Sequence, residues 1–173
     1  MQRVISFIVS NQPGVLSRIS GLISRRGFNI ESLTVGVTSN PALSRITIVM
    51  CAEDAVIEQV VKQFDKLLDV KAIKEIPTQD GIFREIALVK ISTDGVDKKQ
   101  LMADIESRAG IVLNIAEKCV TIQISGIISF INESIEMFKK NYYVVELART
   151  GMVALEMGDT QLYNSQTAVM QKT

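Results

Sequence analysis

The chain has 173 residues, and its 19 Lys and Arg residues are balanced by 19 Asp and Glu residues. This length suits one ordinary domain or two small ones. Because the formal net charge is +0 and no basic stripe stands out, we expect neither a nucleic acid nor an anionic membrane as a partner. The chain contains no His, which removes the commonest general base and metal ligand, so that only carboxylate, Lys or Tyr chemistry remains open.

The two cysteines, Cys51 and Cys119, lie in apolar stretches without the CxxC spacing of a zinc or redox site. We interpret both as buried free thiols, which are typical of reducing compartments. No apolar run approaches the roughly 20 residues that span a bilayer, and the N-terminus has no signal-peptide pattern. We therefore expect a soluble, cytoplasmic protein.

The first predicted elements are a strand, a tight loop and a helix. Residues 4–9 are mostly apolar and β-branched, which is typical of a strand buried on both faces. Residues 11–14 are turn formers, and apolar side chains then recur at helical spacing over 15–23. Arginines fill the last predicted turn, and Gly27 is placed to end the helix.

Two further strands follow, with a turn between them. Apolar side chains alternate over 28–37 except for a slip at Glu31 and Ser32, which indicates a β-bulge. Residues 39–41 are a turn signal. Residues 45–50 then alternate in the way that is typical of a half-buried strand.

A second helix and a fourth strand complete the first half. Helical spacing of apolar side chains over 57–68 follows Asp54, which we predict to cap the helix. Residues 70–76 are predicted to form a strand. The order β-α-β-β-α-β is the ferredoxin-like or split βαβ arrangement, in which two helices cover one face of a four-stranded antiparallel sheet.

The same order begins again after the polar segment 77–81, at an offset of roughly 80 residues. A strand over 84–92 precedes a helix that starts like a capping box, with Asp97 and Gln100, and extends to Ala109. The remaining predicted elements are strands over 111–116 and 120–125, a helix that ends at 139–141, and a strand over 142–148.

The repetition indicates two similar small domains rather than a solenoid. We therefore predict an α+β protein with two ferredoxin-like βαββαβ domains, at residues 1–77 and 83–158. Residues 159–173 are predicted to be a polar tail, frayed at its end.

The loop between the first strand and the first helix is the most informative segment for function. It places the side-chain amide of Asn11 and the glycine Gly14 at a helix N-terminus, where free N–H groups and the helix dipole favour an anion. A ligand carboxylate could be held there, and Gly14 would allow it to approach the backbone closely. From these residues alone, the alternative is that Asn11 only caps the helix and that the glycine only turns the chain.

A second candidate for recognition is Asn29, a polar residue that opens an otherwise apolar strand. The alternative interpretation is a solvent-facing residue at a strand start. Neighbouring carboxylates such as Asp65 and Asp69, or Glu133 and Glu136, lie on polar faces, and no nucleophile or oxyanion hole accompanies them. Since the sequence also has no glycine-rich phosphate loop, we predict no catalytic residue and no metal ligand in this chain.

Several runs of sequence resemble one protein family. Residues 11–18 (NQPGVLSR) are similar to the short N-x-x-G-x-L loop of amino-acid-sensing ACT domains. Residues 27–35 (GFNIESLTV) and 43–48 (LSRITI) resemble, more narrowly, the small regulatory subunit of acetolactate synthase, also called acetohydroxyacid synthase. Residues 84–90 (REIALVK) and 146–151 (ELARTG) resemble the C-terminal domain of that subunit. The first predicted domain is therefore identified as an ACT domain.

The resemblance implies a ligand site between two protomers that pair as a homodimer through their ACT domains. The effector is expected to be a branched-chain amino acid such as valine. One chain would contribute Asn11, Gly14, Val15 and Leu16, and the other would contribute Asn29 and Ile30. Helix-terminus N–H groups would hold the carboxylate, side-chain oxygens of Asn would accept from the ammonium, and the apolar residues would enclose the side chain. Burial of a valine-sized side chain contributes roughly 1.5–3 kcal/mol, which selects branched aliphatic over polar amino acids but does not separate valine from isoleucine.

The resemblance also implies a function in branched-chain amino acid biosynthesis. The protein is expected to bind and activate a large catalytic subunit and to confer feedback inhibition by valine, leucine or isoleucine. Thiamine diphosphate, Mg²⁺ and FAD would belong to that partner, and no cofactor is expected in this chain. The transferase activity would then be that of the holoenzyme.

Three other functions compete with this interpretation. The main alternative is a free-standing tandem ACT-type sensor that regulates a different partner. A ferredoxin-like RNA-binding module has little support, because the aromatic content is 5% and the net charge is +0. An independent enzyme is disfavoured for want of a site.

Overall fold

The computed structural model describes residues 2–25 and 29–163, so that the predicted helix end at Arg26 and Gly27 lies outside the described residues. The elements in chain order are β1 (Gln2–Ser10), α1 (Val15–Arg25), β2 (Ile30–Val37), β3 (Leu43–Cys51), α2 (Asp54–Phe64), β4 (Val70–Glu75), β5 (Gly81–Ser92), α3 (Lys98–Ser107), β6 (Ile111–Ile115), β7 (Cys119–Gly126), α4 (Ile128–Asn141), β8 (Val144–Arg149) and β9 (Val153–Glu156). Among the described residues, no helix is long and apolar enough to cross a membrane.

These elements form two compact units. The second unit is Phe83–Met152, whereas the first comprises the chain up to Ile82 together with the residues from Val153 onward. The element order confirms the predicted α+β fold with two ferredoxin-like βαββαβ arrangements. The domain limits at residues 77, 83 and 158 stay predictions.

The first unit is a four-stranded antiparallel sheet in the order β2-β3-β1-β4. One face packs against α1 and α2 around Phe7 and Phe64, whose rings meet edge to face with centroids 5.2 Å apart. The register of β2 on β3 shifts between Ile30 and Ser32, which confirms the predicted β-bulge. Because β3 and β1 are the central strands, β2 is left as one edge of this sheet.

The opposite face of the first sheet, which we call the outer face, is also largely covered. Ser6, Ile8, Thr47 and Val49 alternate with the core side chains along β1 and β3, and all four are buried. The prediction that 45–50 is a half-buried strand was therefore wrong. Its alternation of polar and apolar side chains does not mark a solvent-facing surface, because residues 155–163 lie over part of this face.

The second unit has the equivalent strand order β6-β7-β5-β8. Its core side chains come from β5, β7, α3 and α4. The predicted helix start at Asp97 is confirmed, since its carboxylate accepts hydrogen bonds from the backbone N–H groups of Lys99 and Gln100. The helix ends at Ser107, earlier than predicted, and Ala109 adopts a φ of 48° beyond it.

The second helix of the first unit differs from prediction at both ends. The residue that precedes α2 is Glu53, which makes no side-chain cap, and the predicted cap Asp54 is its first residue and pairs with Arg3 (Oδ1–Nη1 2.6 Å). The helix ends at Phe64 rather than Leu68, and Leu68 is 88% exposed. The helical spacing of apolar residues continues beyond Phe64 because Leu67, in the turn that follows α2, also packs against the core.

Candidate functional site

The loop between β1 and α1 is held by backbone and side-chain hydrogen bonds of Asn11. Its N–H donates to the Ala42 carbonyl (2.8 Å), and its Nδ2 donates to the Pro41 carbonyl (2.9 Å). Both acceptors lie in the turn between β2 and β3. The side-chain amide is therefore oriented by the turn, and its Oδ1 makes no hydrogen bond with the part of the chain that the structure describes. Asn11 does not cap α1 with its side chain.

Gly14 immediately precedes α1 and adopts a φ of 85°, in the left-handed region that favours glycine. The first helical hydrogen bond runs from the Arg18 N–H to the Gly14 carbonyl (3.0 Å). The N–H groups of Gly14, Leu16 and Ser17 have no acceptor among the described residues. Three donors at the positive end of a helix are thus available to an anion from outside the chain.

The two apolar residues that open α1 have different surroundings. Val15 is only 3% exposed and packs in the core with Ile19 and Ile23, so that its side chain supports the fold of its own unit. This differs from the expectation that Val15 encloses a ligand. Leu16 is 41% exposed, and it is the apolar side chain that this helix end offers.

Asn29 and Ile30 lie at the start of β2, after the C-terminal end of α1. Asn29 is exposed and immediately precedes the strand, whereas Ile30 is half-buried against the first core. Ile30 pairs with Met50 of β3, and Met50 pairs with Arg3 of β1. Ile30 therefore lies at the end of the sheet where β1 begins. Asn11 lies eight residues beyond Arg3, at the other end of the sheet.

The two halves of the predicted site are therefore far apart within one chain. At about 3.3 Å per residue, eight strand residues separate them by roughly 26 Å. A free amino acid is much shorter than this distance, so that one ligand cannot touch both Asn11 and Asn29 of the same protomer. The structure brings Asn11, Gly14 and Leu16 together and leaves Asn29 and Ile30 apart from them.

Charged side chains beside each half were not anticipated from the sequence. Arg18, one turn into α1, binds the Asp69 carboxylate through Nη2 (2.6 Å) and Nε (2.9 Å). Because Asp69 also accepts the Ser10 N–H through its backbone carbonyl (2.9 Å), this ion pair connects the start of α1 to the segment before β4. The two residues are 51 positions apart, so that no local sequence pattern predicts this ion pair.

At the other half, Glu31 accepts hydrogen bonds from Gln2 (2.7 Å) and from the thiol of Cys51 (2.9 Å). The bond from Cys51 is the main reason why the pKa of the Glu31 carboxyl is lowered. The same bond is the main reason why the pKa of the Cys51 thiol is raised. Both cysteines are free, but Cys51 is exposed and Cys119 is half-buried, so that the prediction of two buried thiols was wrong. Cys51 is the last residue of β3, and unlike the buried residues before it in this strand it is exposed.

Two protein families match this chain, one over each half. An acetohydroxyacid synthase small-subunit-like ACT domain matches residues 5–74. The family of the small subunit of acetolactate synthase matches residues 84–158. The first match contains the whole β1–α1 loop and the start of β2.

Similar proteins extend over nearly the entire chain. The acetolactate synthase isozyme 3 small subunit of Salmonella typhimurium is 37% identical over 159 residues, which cover 92% of this chain and 98% of that protein. A probable acetolactate synthase small subunit of Archaeoglobus fulgidus is 36% identical over 92% of this chain and 99% of its own length. The crystal structure of the acetolactate synthase small subunit of Thermotoga maritima superposes with a TM-score of 0.85 at 34% identity, covering 92% of this chain and 99% of that one. From the loop geometry, the tandem fold and these relatives together, the chain belongs to the acetolactate synthase small-subunit family, with an ACT domain in its first half.

Proposed function

We propose that this protein is a regulatory subunit that activates a catalytic acetolactate synthase subunit and transmits feedback inhibition by a branched-chain amino acid bound between two copies of the chain. One observation carries the effector site. Among the described residues, the N–H groups of Gly14, Leu16 and Ser17 and the Oδ1 of Asn11 have no hydrogen-bond partner, while Asn29 and Ile30 lie about 26 Å away in the same chain. A complete site therefore requires a second protomer.

The edge strand β2 supplies a way to bring the two halves together. Val37, at the end of β2, is opposite Ser44, which is opposite Val9, so that this end of β2 lies on the same side of the sheet as the Asn11 loop. If two copies pair their β2 edges antiparallel, the start of one β2 comes next to the end of the other. Asn29 and Ile30 of the second copy would then lie beside Asn11 and Leu16 of the first. Val35 and Val37 are 42% and 61% exposed on this edge and would be covered.

The chemistry of the assembled site suits a zwitterion with an aliphatic side chain. The open N–H groups would donate to the ligand carboxylate, and the Oδ1 atoms of Asn11 and of Asn29 from the other copy would accept from its ammonium. Leu16 and the exposed part of Ile30 would contact the side chain. Arg18, which already binds Asp69, is not assigned a contact with the ligand.

The catalytic chemistry is assigned to the partner. Thiamine diphosphate, Mg²⁺ and FAD, and the transferase reaction that they support, are proposed for the large subunit. Coupling requires that the effector binds two states of the dimer with different affinity, since a ligand shifts an equilibrium only by its differential binding. The cytoplasmic location stays a prediction.

Mixing two defective variants tests the site. Gly14→Asp damages the loop half, and Asn29→Ala damages the strand half. In a mixed dimer, one site would carry both defects and the other would carry none. We expect each variant alone to lose high-affinity valine binding by calorimetry, and an equimolar refolded mixture to regain roughly a quarter of the wild-type sites. The same mixture, reconstituted with a catalytic subunit, should regain partial valine inhibition.

The absence of rescue, with mixed dimers verified by mass spectrometry, would place both residues in one protomer's site and contradict the proposal. Valine binding without any effect on a catalytic subunit would instead support a free-standing sensor.

A further inference from the structure

A cavity of about 520 Å³ lies within the first unit, beside the turn between β2 and β3 that also holds Asn11. It is bounded on one side by the outer face of the sheet, with Ile8 of β1 and Leu43 and Arg45 of β3. The other side is formed by residues 155–163. The volume lies within the range of about 300–1,000 Å³ that is usual for small-molecule sites. None of the predicted effector-binding residues lines it.

Arg45 gives this cavity an unusual charge. Its Nε donates to Ser6 Oγ (2.9 Å), but its terminal nitrogens have no carboxylate or other acceptor within the described ranges. The side chain is half-buried, and burial is the main reason why the pKa of Arg45 is lowered. Charged side chains removed from water are normally paired, because an unpaired charge loses hydration without compensation.

The acidic residue of the cavity does not supply that partner. Glu156 faces the same space and acts on Arg45 at longer range, but its carboxylate binds Lys74 through Oε1 (2.5 Å). Its side chain is only 9% exposed. Arg45 and Lys74 together with Glu156 leave one positive charge, which lies on the guanidinium group. An anion of charge −1 would neutralise the cluster.

The remaining walls indicate what kind of anion fits. Ile8, Leu43 and Leu155 are aliphatic, whereas Asn40 and Thr160 are polar but neutral. An inorganic ion would leave the aliphatic walls in water, whereas an aliphatic body would cover them. We propose that this cavity binds a small organic carboxylate, whose carboxylate group pairs with the terminal nitrogens of Arg45 and whose short aliphatic body packs on the leucines.

Two sources share this chemistry, a simple carboxylic acid and an α-amino acid. They differ at Glu156, because an ammonium group would be attracted by that carboxylate, whereas a simple carboxylate would not use it. 3-Methylbutanoate and valine, its 2-amino derivative, are a matched pair of probes that separate the two sources.

Methyl NMR of the full chain, titrated with 3-methylbutanoate, tests the proposal. We expect saturable shifts at Leu43, Leu155 and Leu162, without shifts at Leu16. Arg45→Gln should weaken the affinity by about tenfold or more, as expected for the loss of a charge-assisted hydrogen bond. Arg84→Gln is the matched control, because the one hydrogen bond of the Arg84 side chain to another described residue is to the neighbouring Phe83 carbonyl (2.8 Å). Unchanged cavity methyls up to tens of millimolar ligand, or equal affinity in Arg45→Gln, would overturn the proposal.

A second variant covers the case in which Arg45→Gln does not fold. Leu155 is 56% exposed, so that Leu155→Glu should be tolerated and should place a competing carboxylate beside Arg45. It should abolish binding of 3-methylbutanoate, while Leu155→Gln should retain it. Equal binding by both would contradict the proposed ion pair.

The titration with valine uses the Gly14→Asp variant, so that the proposed effector site does not contribute to the observed binding. Valine shifts at the cavity that weaken in Glu156→Gln would identify an amino acid as the ligand. Their absence, with 3-methylbutanoate bound, would identify a simple carboxylate. Because rescue by mixed dimers does not involve Arg45, failure of this inference and failure of the proposed function give different results.

Discussion

The two units use the same βαββαβ order but treat the first helix N-terminus in opposite ways. In the first unit, Gly14 precedes α1, and the N–H groups of Leu16 and Ser17 find no acceptor in the described part of the chain. In the second unit, Asp97 precedes α3 and its carboxylate accepts from the N–H groups of Lys99 and Gln100. The positive end of α3 is thus neutralised by a residue of its own chain, whereas no residue within 2–25 or 29–163 does this for α1.

This difference shows how a repeated fold can carry one site rather than two. Without a side-chain cap, α1 is less stable than a capped helix by typically about 1 kcal/mol, until an anion binds its open N–H groups. A bound carboxylate at α1 would have the role that Asp97 has at α3. The following four changes break or sharpen this comparison, and they are ordered from the largest expected effect to the smallest.

Gly14→Asp should give the first unit a permanent carboxylate, as Asp97 does in the second. We expect valine affinity to fall by about a hundredfold or more, because the new carboxylate would occupy the open N–H groups and repel the effector's own. Activation of the catalytic subunit should persist. Calorimetry and valine titration of the reconstituted holoenzyme measure both effects.

Gly14→Ala is the control for this change. It carries the same strain at a φ of 85°, and the added Cβ would meet only Arg18 Nη1 at 3.7 Å. It should therefore lower stability by about 1 kcal/mol while retaining valine inhibition. Full valine sensitivity in Gly14→Asp would sink the proposed role of the loop.

Asn29→Ala should weaken valine binding by about tenfold, because one hydrogen bond to a charged group is lost without a change in the loop. The loss should be seen only at concentrations where dimers form, as checked by calorimetry together with sedimentation. The exposed Ser24 of α1, five residues before Asn29, changed to Ala, should leave the affinity unaltered. Wild-type affinity in Asn29→Ala would remove this residue from the site.

Asp97→Ala should remove the side-chain acceptor of the first N–H groups of α3, so that this helix end resembles that of α1. We expect the second unit to lose about 1 kcal/mol in its free energy of unfolding, measured by urea denaturation of the full chain. Asp94→Ala is a control in the same loop, because the side chain of Asp94 is not a cap of α3. No loss of stability in Asp97→Ala would show that the two helix ends do not differ energetically.

The smallest effect concerns the cysteines, one in each unit. Glu31→Gln should lower the pKa of Cys51, whose thiol donates to that carboxylate, and should speed alkylation near pH 8 by a few-fold in a Cys119→Ser background. With Glu31 present, the raised pKa of the thiol in the folded state means that the free energy of unfolding falls as the pH rises from the ordinary thiol range through the raised value. Glu58→Gln is the control. Identical pH profiles for alkylation would contradict the Cys51–Glu31 bond.

Local pattern predicted those parts of the fold whose partners are near in sequence. The β-bulge after Ile30 and the cap at Asp97 were predicted because each follows from a few adjacent residues. The cap at Asp54 was wrong, because that carboxylate binds Arg3, a residue 51 positions away. β9, a strand of four residues, was not predicted from the sequence.

The candidate site shows the same limit. The residues of the loop were found from turn chemistry and from the resemblance, and Gly14 does have the positive φ that the loop requires. The burial of Val15 was not anticipated, because helical spacing marks apolar positions without saying which of them are reached by a ligand. The charge on Arg45 could not be assessed, because it depends on Glu156 and Lys74 from distant segments.

The return of the chain to the first unit has a consequence for the order of folding during synthesis. The second unit, Phe83–Met152, is continuous and can fold as soon as it leaves the ribosome. Residues 155–163, which lie over Ile8 and Arg45, are made only afterwards. At about 5–20 residues per second, the intervening segment takes roughly 4–14 s to synthesise. During that interval a nascent chain would leave part of the outer face uncovered, so that the first unit to emerge is the last to be completed.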